Sequence, residues 1–267
     1  DWVNTLPYSQ IKQLSSRKDF IFGRGFNVRF IRFNTAKPPF NDPRVRKAFY
    51  TAVEKSKVCM YGGEVPAKSF VPDGIRGYSP LNGLPYNAEM AAGFLAEAGF
   101  TAGKDFPEVE LLYQSSENAQ IIAETLQLQW KKAFGVKVTL CNVERGTYFS
   151  RRKSLDYQMC LSDWRGDYLD PQTFLEIFTS KSGNNQTGWN NAGYDELVVK
   201  GAASEGEERE RWFRQAEQFL VDTETPVIPL YFGINRCLLK EGIQGYYNNM
   251  LDIHPLWALR WPEPDKK

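Results

Sequence analysis

Histidine is almost missing from this chain: His254, close to the carboxyl end, is the single one in 267 residues. A Ser-His-Asp hydrolase centre would have to be built on that side chain, which reads instead as a surface or packed residue. Cysteines are few and far apart. Cys59, Cys141, Cys160 and Cys237 have neither CxxC nor zinc-knuckle spacing, so no transition-metal site is indicated and the thiols read as small buried hydrophobes. Cys141 and Cys160 fall in consecutive expected strands and form the pair to test first for a bridge. There is no GxSxG elbow, no Walker loop and no GxGxxG after a strand; Gly23-Arg-Gly25 reads as a turn. No apolar run approaches the ~20 residues that span a bilayer. Asp1 opens no secretory leader, so the chain is expected to be cytoplasmic, already processed or cut from something longer. Nor does charge of one sign dominate: 33 basic against 32 acidic side chains leave no field to draw nucleic acid or an anionic membrane. These absences point away from an enzyme, and no cofactor is expected.

Aromatic rings are plentiful, with 18 Phe, 13 Tyr and 7 Trp, a surplus that can serve binding clefts as well as cores. The middle of the chain alternates strand and helix. Val109 to Tyr113 is a short apolar strand. Ser115 or Ser116 can cap a helix over Glu117 to Phe134, which Gly135 stops, with Ala119, Ile122, Leu126 and Trp130 on one face. A strand over Val136 to Val143, a short helix near Thr147 to Lys153, a strand over Tyr157 to Leu161 and a Pro171-led helix through Phe178 follow. This β-α-β-α-β order predicts an α/β fold, a parallel or mixed β-sheet flanked by helices. Upstream, Asn41-Asp42-Pro43 starts one helix and Asn87 caps another over Ala88 to Ala98. Downstream, Glu205 to Thr223 reads as a long helix with Trp212, Ala216, Phe219 and Leu220 facing inward. The prolines of Pro226-Val-Ile-Pro-Leu-Tyr-Phe place that strand at a sheet edge or crossover.

The most informative stretch is Asp163-Trp164-Arg165-Gly166-Asp167-Tyr168-Leu169-Asp170-Pro171. Carboxylates, an arginine and two rings follow a strand directly, at its carboxyl end, where open α/β sheets bind ligands. A carboxylate there can pair with an ammonium group while Trp164 and Tyr168 supply flat walls. The plainer reading is a solvated loop in which Asp170 caps the next helix. Likewise Ser182-Gly183-Asn184-Asn185 is either a plain turn or a source of side-chain amides for peptide carbonyls. Arg151-Arg152-Lys153 either complements a helix dipole or meets a ligand carboxylate.

Together these stretches resemble the family 5 extracellular solute-binding proteins, the oligopeptide- and dipeptide-binding group. The resemblance rests on Phe33 to Ala48 (an Asn, a Pro-Phe-x-Asp turn and an Arg-Val-Arg-x-Ala helix), Tyr86 to Gly99, Trp164-x-x-Asp167-Tyr168-x-Asp170-Pro171, Asn184-Asn185, Tyr194-Asp195 and Pro226 to Tyr231, all in the expected order. It implies the second lobe of a two-lobed periplasmic binding protein, over residues 28–231. Residues 1–27 would cross the hinge and residues 232–267 would return to an absent first lobe, both without strand partners. By resemblance, Asp167 pairs with a peptide's α-ammonium group, Trp164 walls a side-chain pocket and Asn184 lines it. Arg152 lies near the ligand's carboxyl end and Tyr231 sits at the hinge, while Arg165 belongs to the same cluster. Leu161 stands where some relatives carry a second Arg, and Arg145 where some carry a Trp. The implied partners are short peptides, the permease subunits of an ABC importer and the first lobe. The implied location is periplasmic or otherwise extracytoplasmic, with or without a lipid anchor. The competing expectation is a naturally shortened relative serving as a protein-interaction or sensing module.

Overall fold

The computed structural model describes residues 1–59, 63–101 and 105–261. Its frame is one seven-stranded mixed sheet. The strands are β1 (Trp2–Val3), β2 (Phe20–Phe33), β3 (Val65–Pro66), β4 (Val109–Gln114), β5 (Val138–Val143), β6 (Met159–Arg165) and β7 (Val227–Leu239), in the order β1-β7-β2-β6-β4-β5, with β3 also on β7. β7, β2 and β6 pair antiparallel, whereas β6, β4 and β5 run parallel.

Side-chain alternation along β2 splits the interior in two. Ile31 and Phe33 join the helices α2 (Pro43–Thr51), α3 (Ala88–Glu97) and α4 (Glu117–Phe134) on one face. Phe26, Val28 and Phe30 meet α6 (Gln172–Leu175), α7 (Ala192–Ala203) and α8 (Gly206–Gln218) on the other. The first core centres on Phe49, whose ring packs against Phe40, Trp130 and Phe134. Trp130 satisfies its indole N–H on the Phe49 carbonyl at 3.0 Å, so the largest buried side chain leaves no orphan donor.

Local chemistry sets the helix ends. Ser116 accepts from the Ala119 N–H and Gly135 adopts φ 73°, bounding α4 at the expected residues. Asp42 and Asn87 cap α2 and α3 in the same way. The Phe33 to Ala48 motif consists largely of fastenings. The Asn34 amide donates to the Leu155 and Tyr157 carbonyls, and the buried Arg46 guanidinium donates to the Phe40 and Glu224 carbonyls. Burial lowers the Arg46 pKa to about 10.

Several expectations change. Gly23-Arg-Gly25 is not a turn but the middle of β2. A Cβ on Gly25 would come within 2.9 Å of the Gly233 carbonyl, so glycine permits the close approach of β2 to β7 at a register shift. The flanks do not lack strand partners: Phe20 to Arg24 pair with Ile234 to Leu238, and β1 adds to β7 beside them. β7 does border the sheet's outer side, where only the two-residue β1 and β3 join it, and Pro229 falls at a second register shift. The long helix ends at Gln218, a π turn over Phe219–Thr223 follows, and Phe213 rather than Trp212 points inward. Gly201 lies against the Phe213 ring, while Trp212 is half-buried between Lys200 and Arg211. All four cysteines are free. Cys141 and Cys160 both stand opposite Leu112, one on each side of β4. Two strand spacings (~9–10 Å) separate them, too far for a disulfide.

Candidate functional site

The chain path makes a crevice before any side chain is considered. From β4 the chain passes through α4 to β5 on one side, then through α5 (Arg145–Lys153) to β6 on the other side of β4. The two helices pack on opposite faces: α4 in the Phe49 core, and α5 through Tyr148 against Leu112 and Cys160. β4 and β6 are paired only at Leu111–Met159 and Leu112–Cys160, and both strands run on beyond that point. Such a reversal of strand order opens a cleft at the carboxyl ends of parallel strands.

A cavity of about 390 Å³ occupies this place. Gln114 and Ser116 contribute from the end of β4, Tyr148, Phe149 and Arg152 from α5, and Arg29 and Arg32 from β2. Leu161, Asp163, Trp164 and Arg165 of β6 complete it with Asp167 and Asn184. Five of the six residues expected from sequence therefore line one cavity: Arg152, Trp164, Arg165, Asp167 and Asn184. Tyr231 does not. It pairs with Arg29 across β2 and β7, and its buried hydroxyl accepts from the Asn118 amide at 3.2 Å. Burial raises its pKa.

The acidic cluster divides by role. β6 reaches Arg165, further than expected, so Asp163 and Trp164 are strand residues. Asp163 pairs with Arg29 at 3.2 Å. The Trp164 indole N–H donates to the Thr173 carbonyl at 2.7 Å, fixing the ring as a wall. Asp167 is anchored through its backbone, whose N–H donates to Thr173 Oγ1 at 3.1 Å. Its side chain is exposed and, among the described residues, has no partner. Tyr168 is no wall of this cavity: its hydroxyl reaches Glu176 at 3.3 Å. Asp170 is structural, capping Gln172 N at 2.8 Å and receiving Arg209 at 2.8 and 2.9 Å.

The two asparagines part company as well. Asn185 is buried and spent on its own turn, donating to the Phe178, Thr179 and Trp189 carbonyls and accepting from Thr187. Asn184 is exposed and lines the cavity, while its carbonyl accepts from Arg32 at 3.0 Å. In the basic run, Arg151 is engaged by Glu110 and Asp156, whereas Arg152 faces the cavity over the Phe149 ring. Arg32, Tyr148, Phe149 and Gln114 carry no site expectation from sequence, and Ser116 is expected there only as a helix cap. Only Arg32 leaves a trace there, as a charge inside the apolar run Phe30-Ile31-Arg32-Phe33, which burial would force to find acceptors.

The chain thus combines a helix-flanked mixed sheet with a polar, ring-walled cavity at its switch point, the place where open α/β sheets bind ligands. The family assignment follows from comparison. Residues 1–186 match the model of the bacterial extracellular solute-binding proteins, family 5 middle region, and the chain belongs to that family. Oligopeptide-binding protein OppA of Bacillus subtilis is 31% identical over 230 residues, covering 82% of this chain and 42% of OppA. Dipeptide-binding protein DppE of the same organism is 34% identical over 243 residues, covering 86% of this chain and 44% of DppE. Among solved structures, the periplasmic oligopeptide-binding protein OppAIV of Borrelia burgdorferi superposes with a TM-score of 0.89 at 29% identity, covering 98% of this chain and 54% of that one. The chain thus spans less than half the length of the curated relatives it matches.

Proposed function

We propose that this chain is the carboxy-terminal, ligand-holding lobe of an extracytoplasmic peptide-binding protein that serves an ABC importer. The observation that carries the reading is the exposed Asp167 carboxylate, unpartnered among the described residues, beside the fixed Trp164 indole in the switch-point cavity. A carboxylate so placed can take the α-ammonium group that every unblocked peptide presents, the indole can flank a side chain, and Asn184 can meet a main-chain amide. Nothing in this recognition depends on one particular side chain, which suits a carrier of varied peptides. OppA and DppE, named for oligopeptides and dipeptides, support it.

In this reading residues 28–231 form the lobe, and residues 1–27 and 232–267 lead to a first lobe that closes over the ligand. The β2–β7 ribbon that extends through both flanks supports this, as do the exposed Phe22, Tyr247, Ile253, Leu256 and Trp257 side chains near it, which suit burial against another domain. Closure excludes water and strengthens the Asp167–ammonium pair. In the open lobe the same pair is an exposed one, worth ~0–1 kcal/mol. The lobe would then deliver its peptide to the importer's permease subunits.

Calorimetry on the complete gene product tests the reading, with one tetrapeptide supplied with a free and with an acetylated amino terminus. Acetylation removes the charge Asp167 is proposed to hold and should weaken binding at least ~10-fold, the equivalent of one charge-assisted hydrogen bond. Equal affinity for both forms, or no binding of either, overturns the assignment.

A further inference from the structure

The cavity is tied to a residue outside it. Arg165 lines the cavity two positions before Asp167, and its Nη1 lies 3.8 Å from Asp252 Oδ2, whereas Asp252 is not a lining residue. Asp252 sits on a strap that crosses the β2–β7 ribbon. The Asn248 amide donates to the Phe22 carbonyl at 3.1 Å, the Asn235 amide to the Asn249 and Met250 carbonyls at 3.1 and 3.2 Å, and the Phe26 N–H to the Met250 carbonyl at 2.9 Å. The crossing falls where β2 and β7 shift register between Arg24 and Val28. The Phe26 carbonyl also takes the Gly166 N–H at 2.8 Å, so the strap and the end of β6 share one anchor.

Asp252 adopts φ 58°, in the left-handed region, a conformation that persists only where the surroundings fix it. Its N–H donates to the Asn249 carbonyl at 3.1 Å, and its Oδ1 accepts from His254 Nε2 at 2.9 Å. The His254 side chain is only 3% exposed, stacked on Tyr246 with centroids 4.4 Å apart and met edge-on by Trp2 at 5.3 Å. The chain's single histidine thus holds one oxygen of Asp252 and leaves the other for Arg165.

Two ion pairs among the described residues join the span 28–231 to the flanks, and they differ. Arg236–Glu64, beside β3 on the outer side of β7, is short at 3.0 Å and shielded, with side chains 17% and 1% exposed. Arg165–Asp252, on the β6 side of the ribbon, is stretched, with side chains 51% and 31% exposed. A complete pair on one side of a two-strand ribbon and a loose one on the other describe a pivot and a latch.

We propose that Arg165–Asp252 is a closure latch, drawn tight when a cationic ligand group neutralises Asp167. An unoccupied Asp167 carboxylate attracts the Arg165 guanidinium towards the cavity. An ammonium group bound there cancels that attraction and repels the guanidinium, which then favours Asp252. Closure excludes water and strengthens the pair, so ligand and latch stabilise the same closed state. The inference rests on the peptide-binding reading and deepens it with a device that slows release. Asp252 and His254 act through Arg165 and are positioning residues.

Stopped-flow release of a free-amine tetrapeptide from the complete gene product tests the latch, with Asp252→Asn, Arg165→Met and the double variant beside wild type. Each single substitution should speed release at least ~3-fold, and the double should be no faster than the faster single, because the two side chains act as one pair. An amino-terminally acetylated peptide leaves Asp167 charged, so wild type and Asp252→Asn should release it at the same rate; a merely structural loss would speed both peptides alike. Asn keeps the size of Asp252 and leaves His254 an acceptor. If Asp252→Asn still disturbs the strap, Arg165→Met, at a half-exposed position, carries the same comparison of the two peptides. Free-amine release within about 1.5-fold of wild type, single effects that multiply in the double variant, or equal acceleration for both peptides would overturn the latch while peptide binding stood. If the wild type captured no peptide at all, the peptide reading would fall and the latch with it.

Discussion

Glu217 on α8 is fully buried, and four donors converge on it: the N–H groups of Phe70, Val71 and Leu81 at 3.0, 2.8 and 3.1 Å, and the Tyr78 hydroxyl at 2.8 Å. One side chain thus ties the loop over 70–81 to the α8 face of the sheet. In Glu217→Leu the volume is kept and every acceptor is lost. The donors of Phe70, Val71 and Tyr78 lie in buried surroundings, and each buried donor left unpaired costs about 1–3 kcal/mol, so ~3–9 kcal/mol is expected in all. The magnitude depends on pH in a definite direction. Burial, opposed by the four donors, raises the Glu217 pKa to about 7, above the ordinary carboxylate value. Its folded form therefore keeps a proton that the unfolded chain has released. The stability linked to that proton is fully present below the ordinary value near 4.3 and is lost as pH rises through about 7. Leucine carries no such group. Urea unfolding followed by circular dichroism at pH 5.5 and pH 8 should show a large gap between wild type and variant at pH 5.5 and a smaller gap at pH 8. A gap below ~1 kcal/mol at pH 5.5, or one that widens with pH, would refute the reasoning.

Two further outcomes are expected. The 267-residue chain alone should bind tetrapeptides more weakly than micromolar, since the proposed Asp167–ammonium pair would be open to water; micromolar or tighter affinity by calorimetry would contradict the half-site proposal. Asn185→Ala should lower stability by ~2–4 kcal/mol by leaving the carbonyls of Phe178 and Trp189 and the Thr187 hydroxyl without their partner, and a denaturation midpoint equal to wild type would contradict it.

Legibility from sequence tracked how local the determining physics is. The bounds of α4 could be read because Ser116 and Gly135 act within a few residues of themselves. β2 and β7 were underestimated because glycines and prolines that look like breakers are accommodated by register shifts, which depend on the partner strand. The Cys141–Cys160 pairing failed for the same reason: strand order is a long-range property, and β4 inserts between strands that are consecutive in the chain. At the site, Trp164, Arg152 and Asn184 emerged from motif and resemblance, and the geometry adds why they meet. Asn184 and Asn185 could not be told apart from sequence, since only the fold decides which amide is buried. Arg32 escaped because a single charge in an apolar strand announces a need for acceptors without saying where they lie.

Asp167 is proposed to grip a positively charged chain end. The direct measurement is peptide affinity of the complete gene product with Asp167→Asn, a substitution at an exposed, side-chain-unpartnered position that should leave folding intact. The account predicts at least ~10-fold weaker binding of a free-amine tetrapeptide, with the acetylated peptide no longer distinguished from it. Undiminished capture of the free-amine peptide by the variant would contradict it.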